Sequence, residues 1–366
     1  MMNYDHLHYV PCLRWKLGEY QAMLQLPIAT KQGLMPLIEV PEIGWDFEHE
    51  KWAKTIDEHL KPFAKRVQQK WGKNACYVDL CHIGPAERMT TGMHPVRFVF
   101  DEFREMKSLA IPVTGLARDK VYNQEVKSAV ATDHRGACLR LSLEQAAKSS
   151  TKTEVDSLLL SLGIQFNDCD LILDLDSPNF LPLEGFSMAI QAIVKRLPSL
   201  DKWRSFTLIG TSFPETMGGI KIGTEVIPRN EWRLYKLLVA GFKEEGLRLP
   251  AFGDYTITNP KILNLDMRLV KPSVKIIYTM DDGWCIAKGR NYKDYGLGQY
   301  HGLSGQIISS GYYYGSLFSW GDVFIQQCAE GGKTSNLTMW KQVGTNHPVE
   351  KVIQDLASFY ASSDVL

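Results

Sequence analysis

Charged side chains follow several apolar segments of this sequence, at the position where each segment ends. The segment LMPLIEVPEIGWDF (34–47) is the simplest case, because its apolar run, Leu34–Ile38, stops on Glu39. A carboxylate that is buried alone costs free energy, so Glu39 needs partners. Seven further segments end on charged or polar residues, which are Arg14 and Lys16, Asp79, Arg118, Arg140, Asp174 and Asp176, Thr211 and Ser212, and Asp254 with Tyr255.

These residue types indicate two kinds of chemistry. The candidate catalytic residues are the acids Glu39, Asp79, Asp174 and Asp254, and the candidate substrate-binding residues are Arg14, Lys16, Arg118, Arg140, Ser212 and Tyr255. Carboxylates beside arginines hold a divalent cation and an anionic substrate, as metal-assisted phosphoester hydrolysis requires. Two carboxylates across a cleft act instead as acid and base, or as nucleophile, on a glycosidic bond. A third interpretation is a salt-bridge network that closes one end of the fold and does no chemistry.

The apolar segments that precede these residues are predicted to be strands of a parallel sheet. Each is followed by a helical pattern or a long connection, and they cover 8–15, 35–40, 75–80, 111–116, 137–143, 169–176, 205–212 and 250–255. Eight such repeats over roughly 250 residues predict an α/β fold of the (β/α)₈ TIM-barrel type. The alternative is an open doubly wound sheet, which is disfavoured because no G-x-G-x-x-G follows the first strand.

A barrel would bring the ends of its strands to one mouth, where the acids and arginines are expected to pair. In that arrangement Glu39 faces Arg14 or Arg140.

The intervening helices are predicted from apolar residues three or four positions apart. They cover 18–26, a long helix carrying Trp52, Ile56, Leu60, Phe63 and Val67, one carrying Val96 to Met106, and 121–132, 151–162, 184–197 and 229–245.

The alternation stops after the eighth predicted strand. Two strands are expected to flank the turn dipeptide Asp282-Gly283, and a glycine- and tyrosine-rich stretch (296–322) follows.

The last helix is predicted to begin at Pro348, with Asn346 or His347 near its cap. We therefore expect one domain, 1–366, with a barrel core at 8–272 and a C-terminal elaboration at 273–366 packed on the barrel. The tyrosines 312–314, Trp320 and Trp340 either stack on a base or sugar ring or, as we favour, pack the elaboration.

Composition excludes some classes of partner. The 41 basic and 41 acidic residues balance, so nucleic acid binding is not indicated, and no apolar stretch reaches the roughly 20 residues of a membrane span.

The 7 cysteines are scattered along the sequence, which predicts free thiols in a cytoplasmic protein. Four of them are expected in strands (Cys76, Cys138, Cys169, Cys285). Because the sequence contains no C-x-x-C pair, a zinc site built on thiolates is not expected. The segment DLCHIG, with Asp79, Cys81 and His82, is interpreted as a turn and not as a ligand set.

The two ends of the sequence resemble the phage-type Beta protein family. The resemblance lies in YVPCLRWKLGEYQAMLQL with MPLIEVPEI, and in FSWGDVFIQQCAEG followed by MWKQVGTNHPVEKVI, and it extends from about Tyr9 to Ile353. Such proteins occur in phage genomes and bacterial mobile elements, so the resemblance implies a role in phage–host conflict, as defence or counter-defence, and no particular reaction. The residues that fall in these motifs are Arg14, Lys16, Glu19 and Glu39 in the first, and Ser319, Gly321, Asp322, Trp340, Asn346 and His347 in the second.

These observations leave two main functional hypotheses, and a glycosidase-like carboxylate pair is kept as a third only because the fold supports it. The first is a barrel hydrolase that acts on a phosphorylated or nucleotide-like small molecule, with a divalent cation such as Mg²⁺ or Mn²⁺ in a site whose ligands the sequence does not identify. The second is a non-catalytic protein that binds a small anionic ligand or a protein partner.

Overall fold

The computed structural model describes residues 4–262, 266 and 268–363, which form two compact units. Unit 1 comprises Met1–Trp15, Leu34–Gly210 and Arg233–Asp254. Unit 2 comprises Lys16–Gly33, Thr211–Trp232 and Tyr255–Leu366. Each unit is therefore built from segments that are far apart in the sequence.

The strands and helices are numbered in chain order. The strands are β1 (Tyr9–Leu13), β2 (Leu37–Glu39), β3 (Trp45–Asp46), β4 (Lys51–Trp52), β5 (Cys76–Asp79), β6 (Ala110–Thr114), β7 (Ala137–Ser142), β8 (Cys169–Asp174), β9 (Phe206–Ile209), β10 (Gly223–Pro228), β11 (Ala251–Asp254), β12 (Ser273–Thr279) and β13 (Gly283–Asn291). The helices are α1 (Leu17–Leu24), α2 (Ile28–Gln32), α3 (Ile56–Leu60), α4 (Phe63–Trp71), α5 (Pro95–Glu105), α6 (Lys120–Asp133), α7 (Leu143–Ala147), α8 (Thr151–Leu162), α9 (Leu183–Val194), α10 (Asn230–Glu244), α11 (Tyr292–Tyr295), α12 (Gln299–Ile308), α13 (Trp320–Ala329) and α14 (Leu337–Ser363).

Unit 1 contains a closed barrel of eight parallel strands in the order β1-β11-β9-β8-β7-β6-β5-β2. This confirms the predicted (β/α)₈ TIM-barrel fold. Seven of the eight barrel strands lie within a predicted segment, and β6 begins one residue before its segment, at Ala110. The strands are buried on both faces, which is why they appear in the sequence as nearly continuous apolar runs. The parallel register places Glu39 opposite Asp79 and Ser142 opposite Asp174, so the charged strand ends lie at the same end of the barrel.

The predicted helix around Trp52 is wrong in its first part. Trp52 lies in a two-stranded antiparallel hairpin of β3 and β4, where its ring is 61% exposed and meets Trp45 edge to face at 5.2 Å. The helical residues that follow divide into α3 and α4, with Pro62 at the N-cap of α4. Proline lacks the N–H that a continuous helix needs, so the single predicted helix is two.

Unit 2 combines a three-stranded antiparallel sheet, in the order β10-β13-β12, with helices. The predicted hairpin at Asp282-Gly283 is confirmed, because Met280 N–H donates to the Gly283 carbonyl at 2.9 Å between β12 and β13. Strand β10 was not predicted from the sequence. Helix α1 packs on α14, where the Asn346 amide donates to the Ala22 carbonyl at 3.4 Å, and Thr30 in α2 donates to Glu350 at 2.7 Å.

The prediction that the last helix begins at Pro348 is wrong. Helix α14 begins at Leu337 and continues through Pro348 to Ser363. A proline inside a helix removes a hydrogen bond to residue i−4, here Gly344, at a cost of roughly 3 kcal/mol. The preceding residue, His347, is anchored by side-chain bonds on both ring nitrogens, and such tertiary contacts offset that cost.

The predicted cysteines in strands are confirmed as free and buried. The single-domain boundaries, with 273–366 packed on the barrel, stay a prediction. Among the described residues, no helix combines the length and the apolar character needed to cross a bilayer.

Candidate functional site

Glu39 ends strand β2 and is 2% exposed. Its Oε1 atom accepts from Arg140 Nη1 at 2.8 Å, and its Oε2 atom lies 3.0 Å from His82 Nε2. Arg14, at the end of β1, contributes a longer ion pair, with Nε 3.9 Å from Oε2. The expectation that Glu39 pairs with Arg14 or Arg140 is therefore confirmed for both arginines.

Arg140 is the centre of this charged cluster. From β7 its guanidinium also reaches Asp79, with Nη1 at 3.0 Å from Oδ2, and Asp174, with Nε at 2.8 Å and Nη2 at 2.7 Å from Oδ2. A planar guanidinium carries donors on several edges, so one arginine can bind three carboxylates at once, as a lysine ammonium cannot do in this geometry. We call Glu39, Asp79, Asp174, Arg14, Arg118 and Arg140 the mouth cluster.

Arg118 completes the mouth cluster from the segment that follows β6. Its Nη2 atom donates to Oδ1 of Asp79 at 2.7 Å, and its guanidinium lies 5.2 Å from the centre of the Tyr122 ring. Burial is the largest single effect and lowers the pKa of Arg118, but Asp79, Tyr122 and Cys81 together outweigh it and raise that pKa. Asp79 is fully buried and is neutralised by two arginines, which satisfies its charge.

The electrostatics of the cluster hold Glu39 ionised. Burial raises the pKa of Glu39, but the Arg140 charge and the bond from His82 together outweigh it and hold that pKa far below its usual range. Three carboxylates face three guanidinium groups, so the cluster as a whole is close to neutral.

A cavity of about 200 Å³ adjoins the mouth cluster at the ends of β5 and β6. Arg118 and Cys81 line it, together with His94, Asp119 and Tyr122. Its walls therefore combine one guanidinium from the mouth cluster with an aromatic ring and a thiol. Burial raises the pKa of the Cys81 thiol well above its ordinary value, and the Asp79 and Glu39 charges add to that effect.

The sequence predicts that Cys81 and His82 lie in a turn. In the structure Glu39, Cys81 and His82 form a set whose ligand-type atoms all lie within 4.8 Å of one another. The signal available in the sequence was their place directly after the strand end at Asp79. The sequence does not reveal that β5 pairs with β2, and this pairing brings Glu39 close to Cys81 and His82.

The remaining predicted site residues have the following surroundings. Asp254 ends β11 and accepts from the Tyr9 hydroxyl at 2.5 Å, inside unit 1. Lys16, Ser212 and Tyr255 belong to unit 2. There the Ser212 hydroxyl donates to Glu231 at 2.6 Å and accepts from Asn230 N–H at 2.8 Å, and Tyr255 is buried. Roles in substrate binding for these three residues stay predictions.

The second sequence motif forms a buried polar network in unit 2. Asp322 accepts from Tyr278 at 2.7 Å and from Ser319 at 2.6 Å. Its Oδ2 atom lies 2.9 Å from His347 Nδ1, and His347 Nε2 lies 2.8 Å from the Thr279 carbonyl oxygen. Both nitrogens of His347 face acceptors, so Ser319, Asp322 and His347 are not arranged as a nucleophile and base. Trp340 is 5% exposed and stacks on Tyr300 at 4.3 Å, which indicates packing for this ring.

Comparison with known proteins gives one family. A family model described as Beta protein matches residues 9–354. Among curated proteins no significant match is found. A solved structure of triosephosphate isomerase from Bartonella henselae is similar with 12% identity and a TM-score of 0.34, over 67% of this chain and 90% of that one. A likeness of that size supports no inference about activity.

Proposed function

This chain belongs to the Beta protein family, and from that premise and the geometry of the mouth cluster we propose that it hydrolyses a phosphoester in a small phosphorylated or nucleotide-like molecule. Family membership is consistent with a phage-associated protein. We place the reaction in conflict between phage and host, as defence or counter-defence, inside the cytoplasm.

The observation that carries the proposal is the position of Arg118. Its guanidinium belongs to the mouth cluster and also lines the cavity, so an anion entering the cavity meets a positive group that is already oriented by Asp79. Arginine binds phosphate through paired N–H donors, and a guanidinium held in place loses little entropy on binding. The cavity, at about 200 Å³, has room for a phosphoryl group and a few further atoms.

The carboxylates of the mouth cluster supply the groups that hydrolysis needs. Asp174 has 11% of its side chain exposed, against 3% for Glu39 and none for Asp79. Asp174 is therefore the carboxylate of the mouth cluster with most contact with water, and it would act as the base. A divalent cation, when bound, would supply charge stabilisation at the phosphoryl oxygens.

The test is a panel of phosphomonoesters, phosphodiesters and nucleotides assayed with Mg²⁺, Mn²⁺ and Zn²⁺. We expect the wild-type protein to turn over one class. Arg118→Met should lower kcat/KM by about tenfold or more, because it removes a charged donor to the phosphoryl group. Asp79 keeps Arg140 at 3.0 Å in this variant, so its carboxylate remains paired.

Arg97→Gln is the matched control for Arg118→Met. Arg97 lies in α5 of the same unit, its side chain is 59% exposed, and it pairs only loosely with Asp101 at 3.7 Å. This control should retain full activity. Absence of turnover by the wild type on every substrate class would refute the hydrolase proposal.

The neutrality of the mouth cluster favours a second candidate, a non-catalytic protein that binds a small anion. Each of the three acids is already paired with at least one arginine. Charges that are paired in this way are consistent with a stable site that binds an anion as well as with a reactive site. Calorimetric binding of a phosphorylated compound that the protein does not consume, lost in Arg118→Met and kept in Arg97→Gln, would support this candidate over the hydrolase.

A further inference from the structure

We propose that Glu39, Cys81 and His82 form a binding site for a divalent cation of the zinc class. The three candidate ligand atoms are a carboxylate oxygen, a thiol sulfur and an imidazole nitrogen, and all lie within 4.8 Å of one another. Cation binding stands on this geometry alone, whereas any part that the cation plays in hydrolysis rests on the function proposed above.

The spacing of the ligand atoms suits a tetrahedral ion. Bonds of about 2.0 Å to nitrogen and oxygen and about 2.3 Å to sulfur place tetrahedral ligand atoms about 3.3 to 3.6 Å apart. Glu39 Oε2 and His82 Nε2 are 3.0 Å apart without an ion. The oxygen and the nitrogen therefore need to separate by a few tenths of an ångström. The Cys81 sulfur lies within 4.8 Å of both and needs to approach by no more than about 1.3 Å, a movement within reach of the partly buried Cys81 and His82 side chains.

The ligands are supported by rigid neighbours. Glu39 ends β2, and Cys81 and His82 follow the end of β5, which pairs directly with β2. Arg140 binds Oε1 of Glu39 at 2.8 Å, so the carboxylate is oriented with Oε2 toward His82. A hydrogen bond to the second oxygen of a metal-binding carboxylate is a regular feature of such sites, because it fixes the ligand and tunes its charge.

The identity of the ligand atoms selects the cation. A thiolate and an imidazole prefer Zn²⁺ and its softer relatives, whereas Mg²⁺ prefers six oxygen atoms. Three protein ligands leave a fourth tetrahedral position for water or substrate, as in catalytic zinc sites and unlike four-ligand structural ones. Cys81 also lines the cavity that contains Arg118, so the cation would lie beside the site proposed for the phosphoryl group.

The test measures cation binding on the full-length protein without any substrate. After removal of metals with a chelator, isothermal titration with Zn²⁺ should give one site per chain. Titration with Co²⁺ should give a thiolate-to-cobalt charge-transfer absorption together with the visible bands of a tetrahedral ion. Cys81→Ala and His82→Gln should each weaken Zn²⁺ binding by about 100-fold or more, which exceeds the effect of removing a residue that only hydrogen-bonds to a ligand. Cys81→Ala should also abolish the charge-transfer absorption.

Cys12→Ala is the matched control, because Cys12 is a buried thiol whose pKa is raised by burial and by the Glu39 charge, yet it is outside the ligand set. This variant should bind Zn²⁺ as the wild type does and keep the charge-transfer absorption. Equal Zn²⁺ affinity in the wild type and Cys81→Ala, or cobalt binding without a thiolate absorption, would overturn the site.

The two proposals fail separately. Tight, cysteine-dependent Zn²⁺ binding with no phosphoester turnover refutes the hydrolase and leaves the cation site standing. Turnover that persists in Cys81→Ala, with no specific Zn²⁺ binding in the wild type, refutes the cation site and leaves the hydrolase standing. Cys81 and His82 are only partly buried, so both variants are expected to fold, which a circular dichroism spectrum checks.

Discussion

The Nη1 atom of Arg140 lies 2.8 Å from the Oε1 atom of Glu39, although 101 positions separate the two residues in the sequence. The same atom lies 3.0 Å from Asp79 Oδ2, and other atoms of the guanidinium bind Asp174. The guanidinium of Arg140 therefore connects the ends of three other barrel strands, β2, β5 and β8, to β7. Replacing Arg140 by a neutral residue affects three buried carboxylates at once.

Arg140→Gln should lower the free energy of unfolding at pH 7 by about 3–5 kcal/mol, the range for removing one partner of a buried ion pair. Glu39 keeps His82, and Asp79 keeps Arg118, so we expect a weakened fold and not complete unfolding. Urea denaturation followed by circular dichroism measures the change. Arg97→Gln, at an exposed position, should stay within about 0.5 kcal/mol of the wild type. A loss under 1 kcal/mol in Arg140→Gln would show that the cluster is not held by this residue.

The same variant should have a characteristic pH dependence. The pKa of Glu39 in the folded protein lies below its value in the unfolded chain, which is about 4.3. Glu39 thus contributes stability that is present above pH 4.3 or so and is lost as the pH falls toward the folded pKa. Without the Arg140 charge the folded pKa rises, and that contribution shrinks.

We therefore expect the difference in stability between the wild type and Arg140→Gln to narrow when the pH is lowered from about 5 to about 2, below the unfolded pKa of Glu39. Urea denaturation of both proteins over this range measures the difference directly. A difference that stays constant or grows toward acid pH would contradict the assignment of Glu39 as an ionised partner of Arg140.

Gly136 precedes β7 and is a position where a methyl group has no room. Its φ is +68°, and a Cβ there would lie 1.7 Å from the Asp168 carbonyl oxygen. Gly163 has a similar φ of +74° with nothing within 4 Å of a Cβ, so it isolates the cost of the backbone conformation. Gly163→Ala should cost about 1–2 kcal/mol. Gly136→Ala should cost at least about 2 kcal/mol more, because the backbone must also move.

Thermal unfolding of the two glycine variants gives the comparison, with the shift of Gly136→Ala clearly the larger. Similar shifts for both would mean that the chain around Asp168 yields easily at this point.

Asp322→Asn should destabilise the protein by about 3 kcal/mol, because the fully buried carboxylate accepts from Tyr278 and Ser319 and lies 2.9 Å from His347 Nδ1. An amide turns one of these acceptor positions into a donor and leaves His347 without an anionic partner. Glu330→Gln, at an exposed position just after α13, is the control and should be nearly neutral. Chemical denaturation measures both, and an Asp322→Asn variant as stable as the control would give this network a role other than stability.

Local pattern alone located the strands of the barrel. Apolar runs that end on a charge, such as Leu34–Ile38 before Glu39, follow from burial on both faces of a parallel sheet. The eight-fold repeat then determined the closed fold, and closure implied that acids and arginines from distant segments would meet. Strand β10 and the exposed Trp45–Trp52 hairpin carry no comparable apolar signal, and both escaped prediction.

Only the tertiary structure decided which groups meet. The sequence contains Glu39 and His82 as residues 43 positions apart, and nothing local requires their side chains to lie 3.0 Å from each other. Likewise, Pro348 would end a helix on local grounds, yet α14 continues through it, with His347 held by Asp322 and Thr279 from elsewhere in unit 2. Backbone conformation is governed mainly by near neighbours, whereas the pairing of charges depends on which strands are adjacent after the barrel has closed.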